Sequence, residues 1–462
     1  MVINIAFTSK NMGKGEKLLK EVAARLRPSK KEIENLQNVQ QWAVGRLEKV
    51  LPADVEVGVM GSVAKGTALA QNNEIDIFLL FGKKYEAAQI KKKGLEFAKK
   101  AMRGKKWEVN YAQHPYLKVY EKGVKIDIVP SFKIKEGEGL VTAVDRSQLH
   151  KIWANARLDG KKRDDIRLLK QFLKNIGVYG AQARVEGFSG YLCELLIINY
   201  GSFERLLKEA CAWQRPVIDI EGHYSGEGAR ELFPSAAIVV IDPTDRKRNV
   251  SAVVSQTSLS RFIYASREFL KNPAHMHFFS QKEVHSPIKL KKMMRGRGTA
   301  LLLLKCPSPK VVEDILWPQL KKSAHAMLAQ LKGAEFRVFG HYFYADKKDS
   351  FILIELMEEK LPAVRHVIGP YIWHGEHVQA FEKEHERAIN LHLEHERIVA
   401  IERRDIRDAK ELVNAILKNA QKIGVPSTFA KALKSKEWLN IYSSLSDKRV
   451  RSIASDYFSR KL

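Results

Sequence analysis

Residues 74–81, Glu-Ile-Asp-Ile-Phe-Leu-Leu-Phe, constrain this chain more than any other stretch. A run this rich in branched and aromatic side chains reads as a buried strand, yet it opens on two carboxylates. Side chains alternate along a strand, so Glu74 and Asp76 share one face while Ile75 and Ile77 share the other. One face is set up to hold charge and the other to pack into a core. Residues 124–130, Val-Lys-Ile-Asp-Ile-Val-Pro, repeat the pattern with a single acid, Asp127, and end in a proline expected to stop a central ladder. An acid alone in an apolar run is usually a salt-bridged or strand-end residue. Three acids preceded by a small-residue turn point instead to two divalent ions held about 4 Å apart.

That turn is Gly61-Ser62, followed by Lys65. A tight turn opening a helix presents unpaired backbone N–H groups and a hydroxyl to a triphosphate, and a lysine adds a point charge. Gly-Ser by itself is most often an ordinary turn. At this distance from Glu-x-Asp it completes the layout of a nucleotide-binding, two-metal phosphoryl-transfer site.

Further along stand Ala112-Gln113-His114-Pro115-Tyr116, Ala143-Val144-Asp145-Arg146-Ser147, Arg167-Leu168-Leu169-Lys170, the stretch from Gly187 to Leu196, and the stretch from Asp242 to Val250. With these the chain resembles the nucleotidyltransferase superfamily that includes DNA polymerase beta and the poly(A) polymerases. The order Glu-x-Asp and the downstream stretches are similar to the archaeal, class I CCA-adding enzymes in particular. The likeness is dense from about residue 55 to 265 and thinner towards the C-terminus. Two positions depart from the family pattern: Lys65 stands where an arginine is expected, losing the bidentate fork, and Ser147 where a threonine is expected.

The resemblance implies an α+β multidomain protein with a nucleotidyltransferase catalytic domain, a helical central domain and a basic α+β C-terminal RNA-binding region. It implies that Glu74, Asp76 and Asp127 are catalytic and hold two Mg2+ ions. It further implies that Gly61, Ser62, Lys65, His150, Lys170, Tyr179 and Arg248 contact the nucleotide: Lys170 the triphosphate, Tyr179 the nucleotide by stacking or its hydroxyl, His150 near sugar or phosphate, Arg248 the base edge. From the residues alone, Lys170 reads more often as a solvated helix lysine, Tyr179 as a helix-end core residue and His150 as a structural histidine, while Arg248 reads evenly as part of a basic loop. The implied reaction adds C, C and A to the 3′ end of tRNA from CTP and ATP, without a nucleic-acid template. The implied partner surface is the acceptor and T arms of tRNA, and the implied assembly is a homodimer. Alternatives are a poly(A) polymerase or other RNA-tailing enzyme, and a non-catalytic RNA-binding protein on the same scaffold.

The 79 Lys plus Arg against 53 Asp plus Glu leave a net charge of +26, which favours a polyanionic partner. A generally basic surface would give the same number. The three cysteines, Cys193, Cys211 and Cys306, are too scattered for a disulfide framework or a cysteine zinc site and suggest a reducing compartment. The apolar stretch Val2 to Phe7 is too short for a signal peptide, and no run reaches membrane-spanning length, so a cytoplasmic protein with no membrane partner is expected.

Helical spacing covers 29–50, with Ser29 as its cap and Ile33, Leu36, Val39, Trp42, Val44, Leu47 and Val50 on its apolar face. Strands are expected at 55–60, 74–81, 107–111, 116–120 and 124–129 with a helix near 87–102, forming a mixed sheet that carries the acids at one edge. Residues 1–150 are taken as the catalytic domain, 151–260 as the central helical domain with a helix starting at Ser189, and 261–462 as the C-terminal region. There, 299–304, 311–332, 335–345 and 350–357 read strand, helix, strand, strand, and 388–402 reads as one further strand. The histidines His374, His377, His385, His392 and His395, interleaved with glutamates, contain no His-Glu-x-x-His; period-two alternation over 389–396 gives a strand with one polar face, and no metal site is expected there.

Overall fold

The computed structural model describes residues 9–111, 115–135, 138, 141–225, 228–280 and 283–459. Val2 to Phe7 and Ala112-Gln113-His114 therefore lie outside the described residues. The chain forms two compact units that divide between residues 281 and 282.

The first unit begins with helices α1 (Ser9–Leu26) and α2 (Lys30–Glu48). Ser29 caps α2 as expected: its Oγ accepts from the Glu32 N–H at 3.3 Å while the Glu32 carboxylate accepts from the Ser29 N–H at 2.7 Å. Leu36, Val39 and Leu47 are buried, whereas Ile33, assigned to the same face, is exposed. Then follow β1 (Glu56–Met60), α3 (Gly61–Ala64), β2 (Glu74–Phe81), α4 (Ala87–Ala101), β3 (Lys106–Tyr111), β4 (Pro115–Glu121) and β5 (Val124–Phe132). They build a five-stranded mixed sheet in the order β1-β2-β5-β4-β3. Only β2 and β5 run parallel. The acids thus lie on inner strands rather than at an edge of the sheet, because β1 adds antiparallel outside β2. Ile75, Ile77, Leu79, Ile126 and Ile128 pack with α2 and α4 into one core.

Pro130 does not end β5, which runs on to Phe132. The Lys125 and Lys133 N–H groups donate to Asn73 and Phe81 carbonyls at 2.8 Å, so odd residues of β5 face β2. Pro130, being even, turns its missing donor towards β4, whose pairing with β5 already stops at Leu117 opposite Ile128.

A helical layer completes the unit: α5 (Arg146–Asn155), α6 (Gly160–Asn175), α7 (Gly190–Tyr200) and α8 (Phe203–Ala210), the short β6 (Val217–Ile218), α9 (Gly228–Leu232), the hairpin β7 (Val239–Asp242) and β8 (Asp245–Asn249), and α10 (Gln256–Lys271). Ser189 caps α7 by accepting from the Leu192 N–H at 3.1 Å. Phe172 is the hub of a second core, its ring 5.7–6.3 Å from those of Phe203, Phe262, Phe269 and Phe278. The buried face of α1, with Leu18, Leu19, Val22, Ala23 and Leu26, belongs to this helical core.

The second unit contains α11 (Pro287–Arg297), β9 (Ala300–Pro307), α12 (Glu313–Gly333), β10 (Val338–Ala345), β11 (Asp349–Leu356), β12 (Val364–Tyr371), α13 (Gly375–Glu384), β13 (Asn390–Glu394), β14 (Arg397–Arg403), α14 (Ala409–Leu417), α15 (Ser427–Ala432), β15 (Glu437–Leu439) and α16 (Lys448–Phe458). One antiparallel sheet has the order β10-β11-β9-β15, a second β12-β14-β13. The single strand expected over 388–402 is a hairpin. His395, with φ +51°, turns the chain between β13 and β14; the turn, Glu394 to Arg397, carries no glycine, proline, asparagine or aspartate, which is why the pattern reads as one strand. Among the described residues no helix is long and apolar enough to cross a membrane.

Candidate nucleotidyl-transfer site

Parallel pairing sets Asp76 directly opposite Asp127 and Glu74 opposite Lys125, so the three acids occupy one patch of the β2–β5 surface. The paired Lys125 Nζ lies 3.1 Å from Glu74 Oε1, and Lys118 Nζ lies 3.9 Å from Asp127 Oδ1. Burial, and then the neighbouring Glu74, raises the Asp76 carboxyl above its ordinary value, with Lys65 pulling the other way. Burial raises Asp127 to about 6, with Asp76 and Glu74 adding to it against Lys118. Its Oδ1 is buried with no hydrogen-bond partner. Crowded carboxylates, one with an orphaned oxygen, are the hard donor set that divalent cations such as Mg2+ favour.

Gly61 is built into this patch. Its φ is +71°, and a Cβ there would stand 1.8 Å from Asp76 Oδ2, so only glycine fits beneath the carboxylate. Ser62 follows on α3, whose start carries no side-chain cap. The loop after α3 is strapped to α6. Arg163 Nε donates to the Lys65 carbonyl at 3.0 Å, Arg167 to the carbonyls of Gly66 and Ala68 at 2.5 and 2.9 Å, and Lys170 Nζ to that of Thr67 at 3.0 Å.

The lysines from the sequence reading converge on a residue to which it gave no role. Glu194, buried on α7, is ion-paired to Lys65 and accepts from Thr67 Oγ1 at 2.8 Å; Lys170 Nζ is 3.8 Å away. Burial lowers the pKa of Lys170, against the pull of Glu194. Two lysine amines thus share one buried carboxylate. Tyr179 joins it at Gly190, whose added Cβ would stand 3.3 Å from the phenol oxygen and 3.8 Å from Lys170 Nζ. Burial raises the Tyr179 pKa, so the phenol stays protonated.

His150, Tyr191, Asp242 and Arg248 form a second cluster. The His150 ring stacks on Tyr191 with centroids 3.8 Å apart, and Lys65 Nζ lies 5.2 Å from the same tyrosine ring, joining the two clusters. His150 Nε2 is 2.8 Å, and Arg248 Nη1 2.7 Å, from Asp242 Oδ2. Burial opposes the Asp242 charge, yet His150, Thr244 and Arg248 hold its carboxyl well below the usual range. An ionised carboxylate only accepts, so Nε2 of His150 carries the proton; burial keeps the imidazole neutral at pH 7.

The residues Gly61, Ser62, Lys65, Glu74, Asp76, Asp127, His150, Lys170, Tyr179 and Arg248 all lie in the first unit. Sequence reasoning missed Thr67, Tyr191, Glu194 and Asp242 as partners, although a signal exists for two of them. Glu194 is the one acid in the apolar run Tyr191 to Leu196, and Asp242 closes the apolar run Ala236 to Ile241. The conspicuous motif pair Asp145-Arg146 is structural: Asp145 accepts from Ser131 Oγ at 2.9 Å and the Phe132 N–H at 3.0 Å, tying down the end of β5, and Arg146 Nε meets Asp245 at 2.9 Å.

In the second unit, His392 and Glu394 alternate with Leu391 and Leu393 as a polar strand face. One ligating atom from each of His366, His392 and Glu394 lies within 4.8 Å of the others, with His366 Nε2 already paired to Glu394 at 3.0 Å.

Three family models match the chain: a nucleotidyltransferase domain over residues 42–150, the second domain of tRNA nucleotidyltransferase over 164–280, and the C-terminal domain of CCA-adding enzyme over 297–436. Among curated proteins, a CCA-adding enzyme from Methanosarcina acetivorans is 34% identical over 385 residues, 81% of this chain and 83% of its own length. One from Archaeoglobus fulgidus is 35% identical over 87% of this chain and 89% of its own. One from Thermococcus gammatolerans is 38% identical over 77% of this chain and 80% of its own.

Proposed function

The chain belongs to the CCA-adding enzyme family, and from that premise we propose how its own residues carry the reaction. The protein is a CTP- and ATP-dependent tRNA nucleotidyltransferase that adds C, C and A to the 3′ end of tRNA. Glu74, Asp76 and Asp127 are its catalytic carboxylates. They would hold two Mg2+ ions, whose chemistry is to acidify the attacking 3′-hydroxyl and to neutralise the triphosphate and leaving pyrophosphate. The observation that carries this reading is the Asp76–Asp127 pairing with its orphaned Asp127 oxygen.

The remaining residues bind and orient. Gly61 and Ser62 receive the triphosphate beside the acids, and Lys65 and Lys170, held by Glu194, supply donors to it. Tyr179, kept protonated, donates to a nucleotide oxygen. His150, neutral, contacts the nucleotide at sugar or phosphate. Arg248 keeps most of its fork for the acceptor groups of a base edge. No covalent enzyme intermediate is needed. The same reading takes the protein as a cytoplasmic homodimer whose C-terminal region grips the acceptor and T arms of tRNA.

The test supplies labelled CTP and ATP with Mg2+ to tRNA ending before CCA, after one C and after two, and sizes products at nucleotide resolution. Ordered addition that stops at CCA supports the reading. A long A tail would replace it by a poly(A) polymerase, and binding without incorporation would leave only an RNA-binding scaffold.

A further inference from the structure

Asp242 is fully buried at the end of β7, and both its oxygens are saturated. Oδ2 takes His150 Nε2 at 2.8 Å and Arg248 Nη1 at 2.7 Å, while Oδ1 accepts from the Thr244 N–H at 3.0 Å and its hydroxyl at 2.9 Å. Thr244 thus pins one edge of the carboxylate, and the pinned carboxylate pins two side chains that sequence reasoning assigns separately. Arg248 itself is one-third exposed, with one nitrogen committed to Asp242.

A guanidinium on a flexible stem samples many orientations, and reading a base edge through a planar fork requires one of them. We propose that Asp242 is a positioning residue for nucleotide selection: it fixes the plane of Arg248, and through His150 and Tyr191 it keeps that plane in register with the triphosphate-binding lysines. This rests on the reading that Arg248 meets the base. Asp242 contacts neither substrate nor metal in this scheme and acts through Arg248. A well-formed bidentate contact discriminates between bases by about 10- to 100-fold, and that factor is what loss of positioning removes.

The experiment measures single-turnover CTP and UTP incorporation on tRNA lacking CCA, for the wild-type full chain and for Asp242→Asn, Asp242→Glu, Thr244→Val and Arg248→Ala. In Asp242→Asn one edge is an amide that donates, facing two donors, so the CTP:UTP ratio is expected to fall about tenfold or more. Asp242→Glu moves the carboxylate by one methylene and is expected to lower the ratio too, which supplies the readout if the asparagine variant does not fold. Thr244→Val spares Oδ2 and keeps the ratio closer to wild type than either Asp242 variant. Adding Asp242→Asn to Arg248→Ala lowers the ratio no further. A merely structural Asp242 would slow CTP and UTP alike, and an unchanged ratio in folded Asp242 variants beside a lowered one in Arg248→Ala overturns the proposal. An unchanged ratio in Arg248→Ala overturns the base-reading role beneath it, and a wild-type chain that incorporates no CTP overturns the function itself.

Discussion

Replacing Gly61 by alanine tests the closest contact in the site. The new Cβ would stand 1.8 Å from Asp76 Oδ2 and 2.8 Å from its Cγ, whereas real Cβ contacts essentially never fall below 3.0 Å. Carboxylate and loop must therefore separate by about 1 Å. At φ +71°, alanine also carries a left-handed backbone cost of about 1–2 kcal/mol. Displacing a catalytic group by about 1 Å lowers rate by about 100-fold, or about 2.7 kcal/mol of barrier. We expect Gly61→Ala to lose about two orders of magnitude in single-turnover CTP incorporation while its melting temperature falls by only a few degrees. Gly45→Ala, in the last turn of α2 with nothing within 4 Å of the new methyl, is the control. It is expected to gain about 0.5–1 kcal/mol and to leave the rate unchanged. A folded Gly61→Ala enzyme within threefold of wild type would refute the reasoning, because Asp76 would then tolerate the displacement.

Asp127→Ala is expected to reduce incorporation at least 1000-fold at saturating Mg2+, and full activity in that variant would remove the carboxylate from the mechanism. With the Asp127 carboxyl raised to about 6, the cation competes with a proton below that pH. Half-saturating Mg2+ is thus expected to climb as pH falls from 7.5 to 5.5, and an Mg2+ titration that is flat over this range would contradict it. Asp165 has a buried, unpartnered Oδ2 and is raised by burial to about 6. The folded chain holds that proton more tightly than the unfolded one, so the contribution is favourable below the ordinary 3.8 and is lost as pH rises through 6. Asp165→Asn is therefore expected to stabilise the protein at pH 7 by roughly 1–3 kcal/mol and to do little at pH 4, as read by urea unfolding at both pH values. Phe172→Ala removes the hub of the helical core and is expected to cost about 3–5 kcal/mol in the same assay.

The features that sequence made legible are those with a short repeat. Alternation in 74–81 and 124–129 places the acids on one face because neighbouring residues on a strand decide it. The cap at Ser29 is equally local. Pro130 misleads because the rule about proline depends on which neighbour its nitrogen faces, and that depends on where β4 stops. The hairpin at His395 hides because its turn, Glu-His-Glu-Arg, carries none of the usual turn residues. The partners of Lys65, Lys170 and Arg248 were not legible: Glu194 is 129 residues from Lys65, and pairing at that range is set by the packing of α7 against the loop rather than by spacing. A cation read from sequence as free for phosphate can prove to be half of a buried pair.

Asp76 and Asp127 face one another across two adjacent strands, yet a helix and a hairpin separate them along the chain. During synthesis the patch of three acids does not exist until β5 has emerged and docked, so an unfinished chain lacks the site proposed for the metal. The intervening segment is free to lengthen at its turns, since neither acid moves when an outer strand grows. A single residue inserted within β2 or β5 turns every later side chain of that strand to the opposite face, exchanging charge for core in one step. Length variation in this half of the protein is therefore tolerated at the periphery and forbidden along one pair of strands.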